Sequence, residues 1–330
     1  MFWEVPIKPE KQMKIVKSLE DFPKDIPVSI CIGNFDGIHL GHVDIINNCK
    51  KNEAVSTIVT FDCHPREILH PGLLPGKLTL KNEKYSFSNA VGVDMVLELP
   101  FSEFCSVEAL NFLDILNSHM NIQEITVGFN FYFGKDQKGT SDILYWWGRS
   151  SGVKINVLSP TVKNGLRISS TAIRELIISG QIEAALSFMA FPFVLSGKIV
   201  KGRQLGKKMN FPTLNIKPPQ KITPPDGVYI TQTVIDNMQL QTLTNIGRNP
   251  TVDDDSFSRK IETWAVDQSL DDLYGKHAAV YFFKKIRNEI KFSSREKLYE
   301  KVLEDKILFY EFWNSRKTSV LPNTFLFSKP

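Results

Sequence analysis

Two histidines three residues apart, His39 and His42, stand in the run Gly33-Asn34-Phe35-Asp36-Gly37-Ile38-His39-Leu40-Gly41-His42. At the start of a helix that spacing puts both imidazoles on one face. Their place at a strand-to-helix junction raises the odds for phosphate chemistry. Gly41 between them carries no side chain, so a nucleotide could approach the backbone closely. The run follows Val28-Ser29-Ile30-Cys31-Ile32, which reads as a buried parallel strand, and precedes Val43 to Cys49, which reads as a helix. Open α/β sheets bind ligands at such junctions, where a helix N-terminus offers free N–H groups and the positive end of its dipole. Surface or core histidines are the plainer alternative. A zinc site would need a third ligand, and none stands nearby.

Three further clusters in the first half lie at expected strand ends. In Thr60-Phe61-Asp62-Cys63-His64-Pro65, His64 reads equally as a turn residue or a ligand-binding one. In Val127-Gly128-Phe129-Asn130-Phe131-Tyr132-Phe133-Gly134, the aromatic residues suit a core, while Asn130 suits a sugar hydroxyl or base edge. In Arg167-Ile168-Ser169-Ser170-Thr171-Ala172-Ile173-Arg174, Ser170 or Thr171 is a natural N-cap for a helix. Arg174 then opposes the macrodipole in the first turn, which an anion bound there would explain. In the second half, Gly202 to Asn215 (GRQLGKKMNFPTLN) offers two glycines and three cations, either a loop around phosphates or a solvated basic loop.

The elements that must hold these residues fall into two kinds. Val28–Ile32, Ser56–Phe61, Asp94–Leu99, Glu124–Val127 and Lys154–Leu158 are expected strands. Val43–Cys49, Lys81–Ala90, Val107–His119 and Ser141–Ser150 are the helices between them. The alternation predicts a doubly wound parallel sheet, a Rossmann-like α/β domain. No Walker-type P-loop occurs. After Pro192, strands follow strands: Val194–Lys201, Gly227–Ile235, Leu240–Ile246, Lys260–Val266 and Ala279–Phe283. That pattern predicts a small antiparallel barrel. The expected domains are 1–188 and 189–330. Ser293-x-x-Glu296 reads as a capping box opening a C-terminal helix, and 307–330 as an extra helix and tail.

Bulk numbers exclude more than they assert. The chain has 330 residues, enough for two domains, with 42% hydrophobic and 23% charged residues. A net charge of +4 is too small to argue for nucleic acid. The four cysteines form no C-x-x-C pair and read as reduced thiols of a cytoplasmic protein. The N-terminus lacks the apolar core of a signal peptide, and no apolar run is long enough to span a bilayer.

The decapeptide Gly33–His42 resembles the H-x-G-H nucleotidyltransferases, in particular the first half of the bacterial bifunctional riboflavin kinase/FAD synthetases. Ile168-Ser169-Ser170-Thr171-x-x-Arg174 is similar to that superfamily's second phosphate signature. Phe211-Pro212-Thr213-Leu214-Asn215 resembles the F-P-T-A-N signature of riboflavin kinases. Asn245-Ile246-Gly247 through Pro250-Thr251 and the R-x-E-x-K-F pattern from Arg287 to Phe292 follow in family order. The resemblance covers roughly residues 20 to 305.

It implies two activities: ATP-dependent phosphorylation of riboflavin to FMN, then adenylylation of FMN by a second ATP to FAD. It implies His39 and His42 as catalytic donors, and Gly33, Phe35, Asp36, Gly41, Asn130, Arg167, Ser170, Thr171, Arg174, Gly202, Gly206 and Lys207 as nucleotide or phosphate contacts. His64, Asn245 and Arg287 fall on the flavin, Thr213 and Asn215 on Mg²⁺, and Glu262 becomes the kinase base. Departures are Cys63 for proline, Ala172 for arginine, Leu214 for alanine and Trp264 for histidine. The last reads as a packing change. The rivals are another H-x-G-H adenylyltransferase with a different acceptor and a flavin-binding protein without turnover. Partners are small molecules, with no nucleic acid and no membrane.

Overall fold

The computed structural model describes residues 12–51, 53–69, 72, 76–202, 211–248, 259–268, 270 and 273–316. Gly206, Lys207, the Asn249-Pro250-Thr251 end of the second-half motif and the tail from 317 lie outside the described residues. The chain divides into two compact units after Ser170.

The first unit runs β1 (Lys14–Val16), β2 (Pro27–Ile32), α1 (Leu40–Cys49), β3 (Val55–Phe61), α2 (Pro65–Leu69), α3 (Lys81–Val91), β4 (Met95–Leu99), α4 (Phe101–Phe104), α5 (Ala109–His119), β5 (Asn121–Gly128), α6 (Ser141–Ser151) and β6 (Lys154–Leu158). A two-stranded hairpin follows, β7 (Val162–Lys163) with β8 (Leu166–Arg167). The large sheet is wholly parallel in the order β1-β4-β3-β2-β5-β6. Strands buried on both faces read as apolar runs because helices cover them. Val28, Ile30, Val59, Leu97, Ile125 and Val127 form the core with Phe112, Leu113 and Leu116 of α5.

From β2 the chain winds outward through β3 to β4, then returns to place β5 on the other flank of β2. The order therefore reverses between β2 and β5, and it is at such a reversal, beyond the carboxyl ends of the strands, that open α/β sheets bind ligands. The loops leaving β2 and β5 carry the two motifs around His39 and Asn130.

The second unit contains most of α7 (Ser170–Ile178), α8 (Ile182–Phe188), β9 (Val194–Val200), β10 (Thr213–Ile216), β11 (Gly227–Ile235), β12 (Met238–Arg248), β13 (Arg259–Ala265), β14 (His277–Arg287) and α9 (Arg295–Asn314). Six antiparallel strands close a barrel in the order β10-β13-β12-β11-β14-β9. Closure leaves no unpaired edge. Its interior mixes large apolar groups such as Tyr229 and Phe282 with fully buried threonines. The Thr231 hydroxyl lies 2.7 Å from those of both Thr242 and Thr244, and Thr244 lies 2.9 Å from Thr263. Each buried hydroxyl is thereby satisfied by another.

The structure differs from the sequence reading in places. The cap of α9 is Ser294, whose Oγ accepts from the Lys297 N–H at 3.3 Å, one residue past the expected Ser293. The helix runs unbroken to Asn314, because Phe309, Phe312 and Trp313 continue its buried face. Helix α7 already includes Ser170, so Ser170 and Thr171 lie inside the helix and Arg174 lies beyond its first turn.

Candidate functional site

The loop after β2 takes an unusual backbone path. Phe35 and Ile38 have φ of +49° and +29°, a conformation that costs non-glycine residues energy. Both side chains are fully buried, and that burial holds the strained turn in place. The Asp36 carboxylate accepts from the Leu78 N–H at 3.0 Å and the Thr79 N–H at 2.9 Å, and the Thr79 hydroxyl accepts from the Gly37 N–H at 2.7 Å. Ser170 Oγ donates to the Asp36 carbonyl at 2.8 Å. Asp36 therefore clamps the loop, and its buried position leaves little of it facing open space.

That clamp delivers the histidines. Helix α1 begins at Leu40, three residues earlier than expected, and His39 is its N-cap. His39 Nδ1 accepts from the His42 N–H at 3.2 Å. The rings stack with centroids 3.6 Å apart, and Phe35 meets His42 edge-on at 5.2 Å. Burial pushes the His39 pKa down to about 4, against an opposing pull from Asp36. Burial, then the neighbouring His39 and Lys84, hold His42 well below the usual imidazole range. Both rings are neutral at pH 7. With Nδ1 of His39 accepting, its proton sits on Nε2, the tautomer that can donate outward. A Cβ on Gly41 would lie 3.3 Å from the His39 ring and from Thr161 Oγ1, so glycine keeps open the space between that ring and Thr161.

Beyond β5, Asn130 is exposed in the turn after the strand, and the Arg167 guanidinium lies 4.6 Å above the Phe129 ring. The structure thus brings Asn130 and Arg167 to the β5 side of the histidine loop. His64 stands on the other side, at the end of β3. Its Nδ1 accepts from the Arg66 N–H at 3.2 Å, and it shares a cavity with Asp36, Thr79, Lys84 and Glu98. Thr171 is exposed and Arg174 is buried; both fall past the division between the units.

The barrel builds its site by register. Asn215 of β10 pairs with Glu262 of β13, which pairs with Asn245 of β12. Residues directly opposite on adjacent strands share a face, so the carboxylate is flanked by two amides. Glu262 forms an ion pair with Lys260. Asn215 is buried, and its Oδ1 has no hydrogen-bond partner among the described residues. A Cβ at Gly202 would collide with the Asn215 amide, so the backbone of the preceding segment lies directly against it. Thr213 sits two residues before Asn215 on the same face of β10.

Phe211 packs edge-on to the buried Trp264 at 4.8 Å, and also meets Tyr299 of α9. Trp264 is thus a packing residue here. Arg287 is not free to reach outward: its Nε and Nη2 embrace the buried Asp305 of α9 at 2.8–3.0 Å.

Sequence reasoning missed two groups. Glu289 hydrogen-bonds with the Asn245 side chain, and burial, then the Asp226 and Glu262 carboxylates, raise its pKa. It lay in the R-x-E-x-K-F pattern, which could have flagged it. Lys84 reaches the cavity from α3. Nothing in its neighbours along the chain marks it.

Fold and geometry together define a two-unit enzyme that handles phosphorylated substrates, with a nucleotidyltransferase-like sheet joined to a kinase barrel. A profile for FAD synthetase matches residues 22–172, and one for riboflavin kinase matches residues 189–312. The bifunctional riboflavin kinase/FMN adenylyltransferase of Escherichia coli K12 is 31% identical over 92% of this chain and 99% of its own. That of Buchnera aphidicola from Schizaphis graminum is 32% identical over 92% and 99%. A crystal structure described as a macrolide-efflux protein from Streptococcus pneumoniae superposes with a TM-score of 0.81 at 26% identity, covering 90% of this chain and 98% of that one. The chain belongs to the bifunctional riboflavin kinase/FMN adenylyltransferase family.

Proposed function

We propose that the barrel, in the domain 189–330, phosphorylates riboflavin with ATP and that the parallel-sheet unit, in the domain 1–188, adenylylates the resulting FMN. The carrying observation is the row Asn215–Glu262–Asn245, a carboxylate held between two amides on adjacent strands. Glu262 accepts the proton of the flavin's terminal hydroxyl once that hydroxyl displaces Lys260. Asn245 orients the acceptor. Arg287, fixed by Asp305, supports the flavin side by anchoring α9 to β14.

The unpartnered, buried Oδ1 of Asn215 and the hydroxyl of Thr213 are hard oxygen donors of the kind Mg²⁺ takes when it shares its shell with phosphate. Mg²⁺ bound there would neutralise charge on the transferred phosphoryl group. Gly202, Gly206 and Lys207 belong with the ATP phosphates on the strength of the motif.

In the first unit the FMN phosphate arrives ionised and needs no base. It attacks the α-phosphorus of ATP, an oxygen–phosphorus bond forms, and pyrophosphate leaves. His39 and His42, neutral and buried, donate to the charge on the reacting phosphate. Asn130, Arg167, Gly33, Phe35 and Gly41 shape the nucleotide crevice, and Ser170, Thr171 and Arg174 belong with the leaving phosphates by resemblance. His64 lies on the flavin side. No helix among the described residues is long and apolar enough to cross a membrane, and we place the enzyme in the cytoplasm.

Incubating the purified chain with riboflavin, Mg²⁺ and ATP and separating the flavins tests this. FMN followed by FAD is the expected outcome. Flavin recovered unchanged would refute the reading.

A further inference from the structure

We propose that Lys84 is the cation that holds the phosphate of the acceptor, FMN, against the histidine loop. The inference rests on the adenylylation reading above and assigns one half of that site.

Three lysines line the cavity beside His64: Lys77, Lys81 and Lys84. Two are committed. Lys77 pairs with Glu67 at 3.0 Å, and Lys81 pairs with Glu98. The other oxygen of Glu98 accepts from the Tyr85 hydroxyl at 2.7 Å. Asp36 is engaged by the backbone at Leu78 and Thr79, and Asp62 accepts from the Phe101 N–H at 3.0 Å. Among the described residues no carboxylate stands within ion-pair distance of Lys84. The hydrogen bond that the structure gives its ammonium runs to a neutral hydroxyl, Thr60 Oγ1, at 3.3 Å.

An ammonium has three protons to place, and burial makes each unplaced one costly. Desolvation accordingly lowers the Lys84 pKa, although Asp36 and Glu98 act to raise it. A bound phosphate dianion would reverse that shift and complete the shell.

The position selects the acceptor over ATP. The histidine loop leaves the central strand β2. Asn130 and Arg167 stand on its β5 side, at the reversal of strand order where nucleotides bind. Lys84 and His64 stand on the β3–β4 side. Phosphoryl-type displacements proceed with the nucleophile and leaving group roughly in line. A nucleotide on one flank therefore receives its attacking oxygen from the other. Lys84 shares its cavity with Asp36, which stands in the histidine loop three residues before His39, so the two donor types address one phosphate cluster. No proton moves: the ammonium stays charged while the oxygen–phosphorus bond forms and pyrophosphate departs.

The test is steady-state adenylylation by Lys84→Met and Lys84→Arg in the full chain, with FMN and ATP varied separately. A charged hydrogen bond is worth about 1.5–3 kcal/mol, so KM for FMN should rise roughly 10–150-fold in Lys84→Met. KM for ATP should stay within about 3-fold, and Lys84→Arg should recover part of the loss. An unmoved KM for FMN, or a rise confined to ATP, would overturn the assignment. Should Lys84→Met lose its cooperative melt, wild-type protein answers the same question. FMN without ATP should slow acylation of the Lys84 amine by acetic anhydride, and an unaltered rate overturns the proposal. Wild-type protein that makes no FAD would instead refute the adenylylation reading itself.

Discussion

The two sites solve related problems with opposite construction. In the parallel-sheet unit the proposed donors, His39 and His42, come from one continuous loop and are kept neutral by burial. In the barrel the proposed site residues come from three strands, and the proposed base, Glu262, is a carboxylate one-quarter exposed and paired with Lys260. The difference follows from the nucleophile. A phosphate arrives ionised and needs donors that stabilise charge; a hydroxyl must lose its proton and needs a base. A local loop is enough to hold donors, whereas a base between metal donors and acceptor has to be set by strand register.

The largest effect that could break this contrast is expected at the proposed base. Glu262→Gln keeps the size of the side chain and removes its basicity, so riboflavin phosphorylation should fall by roughly 10²–10⁴. FAD formation from supplied FMN should persist. The loss should fall on kcat more than on KM, since proton removal belongs to the transition state. A kinase rate within a few-fold of wild type would remove Glu262 from the mechanism.

His42→Ala is the mirror experiment. Adenylylation should drop by ~10²–10³, as for loss of one oxyanion donor, with phosphorylation unchanged. Equal loss of both activities would contradict separate sites. Asp305→Ala sharpens the structural side: it strands the Arg287 guanidinium, and breaking a buried pair costs about 3–5 kcal/mol. The expected result is a lower melting transition for the barrel, read by calorimetry.

The smallest effect is a pH dependence. The folded-state pKa of His39 is about 4, below its ordinary 6.5. Between those values the unfolded chain binds a proton that the folded chain refuses. Stability of the first unit is therefore complete above pH 6.5 and declines as pH falls toward 4. Adenylylation should keep its neutral donors through pH 5.5. An acid limb centred near 6.5 would instead indicate solvent-like histidines and erase the contrast with the barrel.

The same contrast explains what could be read from the sequence. The histidine loop was legible because its chemistry is contiguous between an apolar strand and a helix. Its clamp was not, since Asp36 meets Leu78 and Thr79 more than forty positions away. The five expected strands of the sheet appear, but β1 escaped notice because only Val16 of its three residues is buried. Strand β10 was hidden inside a motif, and its Asn215 is buried against the backbone at Gly202 where patterning expects an apolar group. Arg287 matched a flavin-side pattern, yet its partner Asp305 could be known only once α9 was docked. Ser293 and Ser294 both satisfy a capping rule within one residue, which spacing cannot separate.

The threonine cluster in the barrel also constrains which sequences this fold can pass through. Thr231 shares its hydroxyl with Thr242 and Thr244, and Thr242 also lies 2.9 Å from Thr233. Replacing one member by valine fits the space but strands its neighbours' hydroxyls, at about 1–3 kcal/mol. Replacing neighbours together removes donors and acceptors in pairs and costs much less than the sum. Substitutions at these positions are therefore epistatic. Relatives that have exchanged hydroxyls for methyls here should have done so in connected groups rather than one residue at a time.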